Sequence, residues 1–128
     1  MTLLQWSDDL DVHVDAMNSE HKELIRLMND VSDANATGVR ASVAGALERL
    51  VAYTVKHFEN EEAYMASIDF AGLATHKLIH KDLLDRVGRF VSDFHDSGGA
   101  QLPKAFFDFL KFWLLSHIQG IDTKYGNN

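Results

Sequence analysis

Apolar residues recur every three or four positions along most of the chain, and this spacing constrains its fold more than any other feature. The repeat is longest in the second of four helix-length segments, at Val43, Leu47, Leu50, Thr54, His57, Glu61 and Met65. Residues with this period share one face of an α-helix. Sustained alternation of apolar and polar residues, which would indicate β-strands, is absent from the sequence. The spacing therefore predicts an all-α protein.

Turn-forming residues divide the chain into helices of similar length. Three turn-like stretches occur at 34–38, 67–72 and 96–103, and the last contains the only proline. Because short connections favour antiparallel neighbours, we expect an up-down-up-down four-helix bundle. A chain of 128 residues has the usual size of one domain. We therefore predict a single domain over residues 1–128, with an irregular N-terminal arm at 1–18 and the bundle at 19–125.

The composition excludes several classes of function. The net charge is −7, and the cationic residues are scattered, so we expect no nucleic-acid partner. No apolar run approaches the roughly 20 residues that cross a bilayer, and no secretory signal is recognisable. We therefore expect no membrane span and a cytoplasmic location. Because cysteine is absent, any metal must be held by nitrogen and oxygen atoms.

Five of the seven histidines lie on the inward-facing stripes, and all five fall at the same end of the predicted bundle. In this topology the start of the first helix, the end of the second, the start of the third and the end of the fourth meet. The candidate ligands that meet there are His21, His57, Glu61, His76, His80, His117 and Asp122. Unrelated core histidines would be spread over both ends. We expect the other two, His13 and His95, to be exposed.

This group of side chains predicts a site for two metal ions. Burying several imidazoles and two carboxylates is costly unless a cation compensates them. The mixture of nitrogen and oxygen ligands suits iron, zinc, copper or nickel, whereas magnesium and calcium prefer more oxygen. Seven ligands exceed the needs of one ion. If both carboxylates bridge two octahedral ions, together with one bridging oxygen, a single position stays open for a small diatomic molecule.

The candidate ligands belong to four sequence motifs that cover nearly the whole chain. These are His21-Lys22-Glu23-Leu24-Ile25, His57-Phe58-x-x-Glu61-Glu62, His76-x-x-x-His80 and Trp113-Leu114-x-x-His117-Ile118-x-x-x-Asp122-x-x-Tyr125. Together they resemble the motifs of the hemerythrin family, and in particular those of single-domain bacterial hemerythrins.

The resemblance implies a non-haem di-iron centre. Its two iron ions would be bridged by Glu61, Asp122 and an oxo or hydroxo group. Three histidines would bind one iron, and two would bind the other: His76, His80 and His117 in the first set, and His21 and His57 in the second.

The resemblance also implies reversible binding of dioxygen, for transport, storage or delivery, by a protein that is not an enzyme. An apolar pocket over the open iron position would be lined by Leu24, Phe58, Trp113, Leu114 and Ile118. The same five residues are equally well explained as ordinary core packing, and the two interpretations are compatible.

Two other functions stay open at this point. One is an oxygen or redox sensor that acts on an unidentified protein partner, and the other is a di-iron oxidase or peroxidase. Related di-iron enzymes carry Glu-x-x-His motifs and four carboxylates. Because no Glu-x-x-His occurs in this chain, the ligand set favours binding over catalysis. The sequence does not distinguish a monomer from a homo-oligomer.

Overall fold

The computed structural model describes residues 3–126, apart from the side chains at positions 121 and 123, and contains four long helices. They are α1 (Asp15–Thr37), α2 (Arg40–Ser67), α3 (Leu73–Ser97) and α4 (Lys104–His117). No strand occurs between residues 3 and 126, so the predicted all-α class is confirmed. The predicted domain also includes residues 1–2 and 127–128, which lie outside the described residues.

The connections between helices are too short for parallel neighbours. The longest joins α3 to α4 through residues 98–103, which can reach about 20 Å, whereas a helix as long as α3 measures about 37 Å. Gly38 ends α1 and Gly98 ends α3, with φ angles of 69° and 67°. Glycine adopts this left-handed conformation without the strain that a Cβ atom imposes. The helices therefore alternate in direction along the bundle.

The predicted helix faces form the core. All seven predicted positions of α2 are buried. The inward positions of α4, namely Phe106, Leu110, Trp113 and His117, are buried as well. On α3, Leu83 and Phe90 pack against the core but are only half-buried, because they border a groove between α3 and α4. The core therefore continues through the whole bundle and is thinnest on the side of α3 and α4.

The N-terminal arm packs against α1. Leu4, Leu10 and Val12 are buried. The amide of Asn29 holds the arm in place, because its Oδ1 accepts from the backbone N–H groups of residues 3 and 4, at 2.8 and 2.9 Å. The arm is shorter than the predicted 1–18, since α1 already begins at Asp15.

Within residues 3–126, no helix combines the length and apolar character that a membrane crossing requires.

Candidate metal centre

The structure brings all seven predicted ligands together at one end of the bundle. Each of them is at most 6% exposed. Their nitrogen and oxygen atoms form two groups, in each of which all atoms lie within 4.8 Å of one another. One group contains Glu61, His76, His80 and His117, and the other contains His21, His57, Glu61 and Asp122. The histidines thus divide into a set of three and a set of two.

The carboxylate of Glu61 lies between the two sets of histidines. Its Oε1 is 3.0 Å from Nε2 of His76 and 2.8 Å from Nε2 of His80. Its Oε2 faces the other set, at 3.5 Å from Nε2 of His21 and 3.4 Å from Nε2 of His57. Each oxygen of one carboxylate is therefore directed to a different set.

Asp122 lies between the same two sets. Its Oδ1 is 2.9 Å from Nε2 of His117 and 3.0 Å from Nε2 of His76. Its Oδ2 is 3.2 Å from Nε2 of His21. Two carboxylates, one from α2 and one from the helical segment that follows α4, are thus placed to bridge two centres.

A change of helix type brings Asp122 to the face that carries His117. The two residues are five positions apart, which on a straight α-helix separates their side chains by about 140°. Immediately after His117, however, the chain forms a π-helical segment, Ile118–Asp122. The wider π turn closes hydrogen bonds between residues five apart and so aligns such residues. A last helical turn, Thr123–Gly126, follows.

The tyrosine in that last turn supports one of the carboxylates. The hydroxyl of Tyr125 donates to Oε2 of Glu61, at 2.9 Å. Burial raises the pKa of this phenol, and the negative charges of Glu61 and Asp122 raise it further. Tyr125 therefore stays protonated and keeps donating to Glu61 at physiological pH.

Several buried polar atoms of the site lack a hydrogen-bond partner and fit metal coordination instead. Among the described residues, Nε2 of His21, Nε2 of His80 and both oxygens of Asp122 are buried without a hydrogen-bond partner. Yet Nε2 of His80 lies only 2.8 Å from Oε1 of Glu61. The two atoms are therefore close, but their geometry is not that of a hydrogen bond. Neighbouring ligands of a transition-metal ion with bonds of ~2.1 Å lie ~3 Å apart in this way. The donor set therefore fits two first-row transition-metal ions.

Two further carboxylates, for which the sequence predicted no role, hold the ligand rings from behind. Nδ1 of His57 is 2.7 Å from Oε1 of Glu20, and Nδ1 of His80 is 2.8 Å from Oε2 of Glu62. An Nδ1–H that donates to a carboxylate leaves the Nε2 lone pair free for a metal. Each carboxylate is adjacent in sequence to a predicted ligand, which is the signal that could have identified it.

Electrostatics in the metal-free site favour the protonated forms of His57 and His117. Burial lowers the pKa of His57, but hydrogen bonds with Glu20 and Glu61 outweigh this effect and raise the pKa to about 9. For His117, burial is likewise outweighed by Asp122 and Glu61, and the pKa is about 9. Burial and the charge of Glu61 raise the pKa of Asp122, but the surrounding histidines lower it to about 2. Protons thus take the place of a metal cation beside the carboxylates.

The predicted pocket residues are all buried, and two of them form an aromatic chain beside the ligands. Phe58 stacks on His80, with ring centroids 3.8 Å apart and an angle of 4° between the planes. Trp113 packs edge-on against Phe58, at 5.9 Å. The remaining three, Leu24, Leu114 and Ile118, are buried in the same core.

The two histidines expected outside the site, His13 and His95, are exposed.

Comparison with known proteins identifies relatives over nearly the whole length of the chain. The hemerythrin HHE cation-binding domain matches residues 12–127. A bacteriohemerythrin of Stenotrophomonas maltophilia is 31% identical to this chain, and the alignment covers 99% of this chain and 82% of the relative. A myohemerythrin of Riftia pachyptila is 36% identical, with 96% of this chain and 91% of the relative aligned. A wild-type hemerythrin of known crystal structure is 30% identical in sequence to this chain. The two structures superimpose with a TM-score of 0.90, and the alignment covers 98% of this chain and 96% of that one.

The metal-free protein should lose stability as the pH rises from about 6 to about 9. His57 and His117 have pKa values of about 9 in the folded protein, whereas an unfolded histidine has a pKa of about 6.5. Because the folded state binds more protons in this range, its free energy of unfolding decreases as these protons are lost. Urea unfolding of chelator-treated protein, followed by circular dichroism, measures this decrease.

The metal-loaded protein provides the control for this pH dependence. Its histidines are neutral ligands, so the same decrease should be absent. A metal-free protein whose free energy of unfolding stays constant from pH 6 to pH 9 would contradict the proposed charge state of the site.

Insertion of one alanine after Gly120 should abolish the binding of one or both metal ions. The extra residue rotates Asp122 by about 100° away from His117, while the helices of the bundle are left intact. Metal content per chain and far-UV circular dichroism measure the two effects. Gly120→Ala is the matched control, because a Cβ atom at this position meets no other atom within 4 Å. Two metals per chain in the insertion variant would show that the register of the π segment is not required.

Proposed function

This chain belongs to the hemerythrin family, and from that premise we propose that it binds dioxygen reversibly at two iron ions. Hemerythrins are oxygen carriers, and the family binds a di-iron centre. The observation that carries the proposal is the position of Glu61 and Asp122, each of which directs one oxygen to each set of histidines. This is the arrangement required of two carboxylates that bridge a metal pair.

The division of the histidines assigns the ligands of each iron. His76, His80 and His117 would hold one ion, and His21 and His57 the other, with Glu61, Asp122 and an oxo or hydroxo group as bridges. When bound, the reduced iron pair supplies the electrons that reversible dioxygen binding requires. The two-histidine side has fewer protein ligands, so the open position for dioxygen is proposed there.

The apolar residues around the ligands would keep water away from this open position. Five such residues are each at most 4% exposed: Leu24, Phe58, Trp113, Leu114 and Ile118. A pocket of this kind admits a small apolar gas and excludes proton donors. Because the reduction of dioxygen to hydrogen peroxide consumes protons, a pocket that excludes water would favour the release of dioxygen unchanged.

The charge of the ligand set supports a carrier in preference to an enzyme. Five imidazoles are neutral when they bind a metal, so among the proposed protein ligands only Glu61 and Asp122 bring negative charge. Two carboxylates compensate the positive charge of highly oxidised iron less than the four carboxylates of related di-iron enzymes do. The site is therefore better suited to binding and release than to oxidation of a substrate.

The cytoplasmic location stays a prediction, which cell fractionation can test. The expectation that the protein does not bind nucleic acid also stays a prediction. Size-exclusion chromatography with light scattering would determine whether the protein is a monomer.

Repeated oxygenation tests the proposed function directly. The iron-loaded protein is reduced under argon, exposed to oxygen and purged again, while its visible spectrum is recorded. We expect the spectrum of an oxygenated form to appear and disappear over several cycles, with recovery of the ferrous protein. A single irreversible conversion to ferric protein, accompanied by hydrogen peroxide, would instead support an oxidase.

Replacement of one proposed ligand should release iron. His76 is 2% exposed and is close to both carboxylates, so His76→Ala removes a ligand that the apolar surroundings do not replace. Iron per chain should fall below that of the parent protein. His95→Ala, at an exposed position, is the matched control and should keep the parent value. Two tightly held irons in His76→Ala would contradict the assignment.

A further inference from the structure

Glu62 lies outside the proposed set of iron ligands, but it holds one of them from behind. It follows the buried Glu61 on α2, and consecutive helical residues point about 100° apart. Glu61 therefore faces the centre of the site, while Glu62 faces α3. There its Oε2 accepts a hydrogen bond from Nδ1 of His80, at 2.8 Å. The side chain of Glu62 is 26% exposed, so it links a buried ligand to the protein surface.

The imidazole of His80 is fixed on three sides. Its Nε2 faces Oε1 of Glu61 at 2.8 Å, on the metal side. Its Nδ1 is held by Glu62, and one of its faces is stacked on Phe58 with the planes nearly parallel. Glu62 is the only one of these three partners that is neither a proposed iron ligand nor a proposed pocket residue.

The carboxylate behind the other iron is arranged differently. Glu20 binds His57 through Oε1, but its Oε2 also accepts a hydrogen bond from Nδ2 of Asn60, at 3.1 Å. Among the residues that the structure describes, Glu62 has His80 as its only hydrogen-bond partner. The charge of Glu62 is thus directed at one imidazole, whereas that of Glu20 is shared.

We propose that Glu62 is a positioning residue that controls the oxygen site through His80, an inference that rests on the proposed di-iron function. Its negative charge makes the His80 imidazole a stronger electron donor to the iron that it binds. Its hydrogen bond fixes the plane of His80, and this plane determines where the stacked ring of Phe58 lies. One surface carboxylate therefore acts both on the iron and on a wall of the oxygen pocket.

Glu62→Gln in the iron-loaded protein tests the first effect. Glutamine keeps the size of the side chain and a hydrogen-bond acceptor but removes the charge. We expect iron release to a chelator to be roughly 10- to 100-fold faster, and the reduction potential of the iron pair to become more positive. Glu62→Asp, which restores the carboxylate on a shorter side chain, should give intermediate values.

Glu59→Gln is the matched control for this experiment. It makes the same change of charge on the same helix, at an exposed position, and should leave both quantities at the parent values. If Glu62→Gln behaves like Glu59→Gln in iron release and in potential, the proposal is wrong.

A double-mutant cycle with Phe58→Leu tests the second effect. If Glu62 acts on the pocket through His80 and Phe58, the effects of Glu62→Gln and Phe58→Leu on the rate of dioxygen dissociation should be non-additive. Additive effects would overturn the coupling to the pocket.

Iron content is measured first on the parent protein. A parent that does not hold two irons contradicts the proposed function itself, and this outcome is distinct from a failure of Glu62→Gln alone.

Discussion

The burial of two carboxylates at the centre of five imidazoles is the constraint on which the rest of this structure depends. Glu61 and Asp122 have no exposed surface, and isolated charges at such a depth would be prohibitively costly. Their cost is offset by positive charge beside them, which protons on the histidines or metal cations can supply. Each carboxylate faces both sets of histidines, so a single ion cannot satisfy the arrangement as well as two. A pair of metal ions follows from this geometry, and iron follows from membership of the hemerythrin family.

The proposed metal ligands occupy only one end of the bundle, whereas the apolar core runs through both ends. The end far from the site is an apolar core that includes Val31, Val43, Leu47 and Phe106, and burial of such side chains is the main favourable contribution to folding. The end with the ligands also buries apolar side chains such as Phe58 and Trp113, but its buried carboxylates lower the stability until their charges are compensated. The apolar end can therefore hold the helices in place while the polar end keeps a ligand geometry that would not be stable by itself.

Most of the fold and the ligand set could be predicted from the sequence, because both depend on helical periodicity. The inward face of α2 was predicted at every position, and the convergence of the histidines followed from the topology. The π segment could not be predicted, since periodicity assumes a regular helix; only the five-residue spacing of His117 and Asp122 indicated an irregularity. The roles of Glu20 and Glu62 were not predicted because these residues lie at the edge of the buried faces, where a partly exposed carboxylate resembles any surface residue. Their roles depend on side-chain contacts between helices, which a linear pattern does not contain.

The central claim is that these seven residues hold two metal ions, divided between three histidines and two. A crystal structure of the iron-loaded protein, with anomalous diffraction recorded at the iron absorption edge, measures this most directly. The account predicts two iron peaks, one beside His76, His80 and His117 and the other beside His21 and His57, with Glu61 and Asp122 between them. A single iron peak, or two peaks that Glu61 and Asp122 do not bridge, would contradict it.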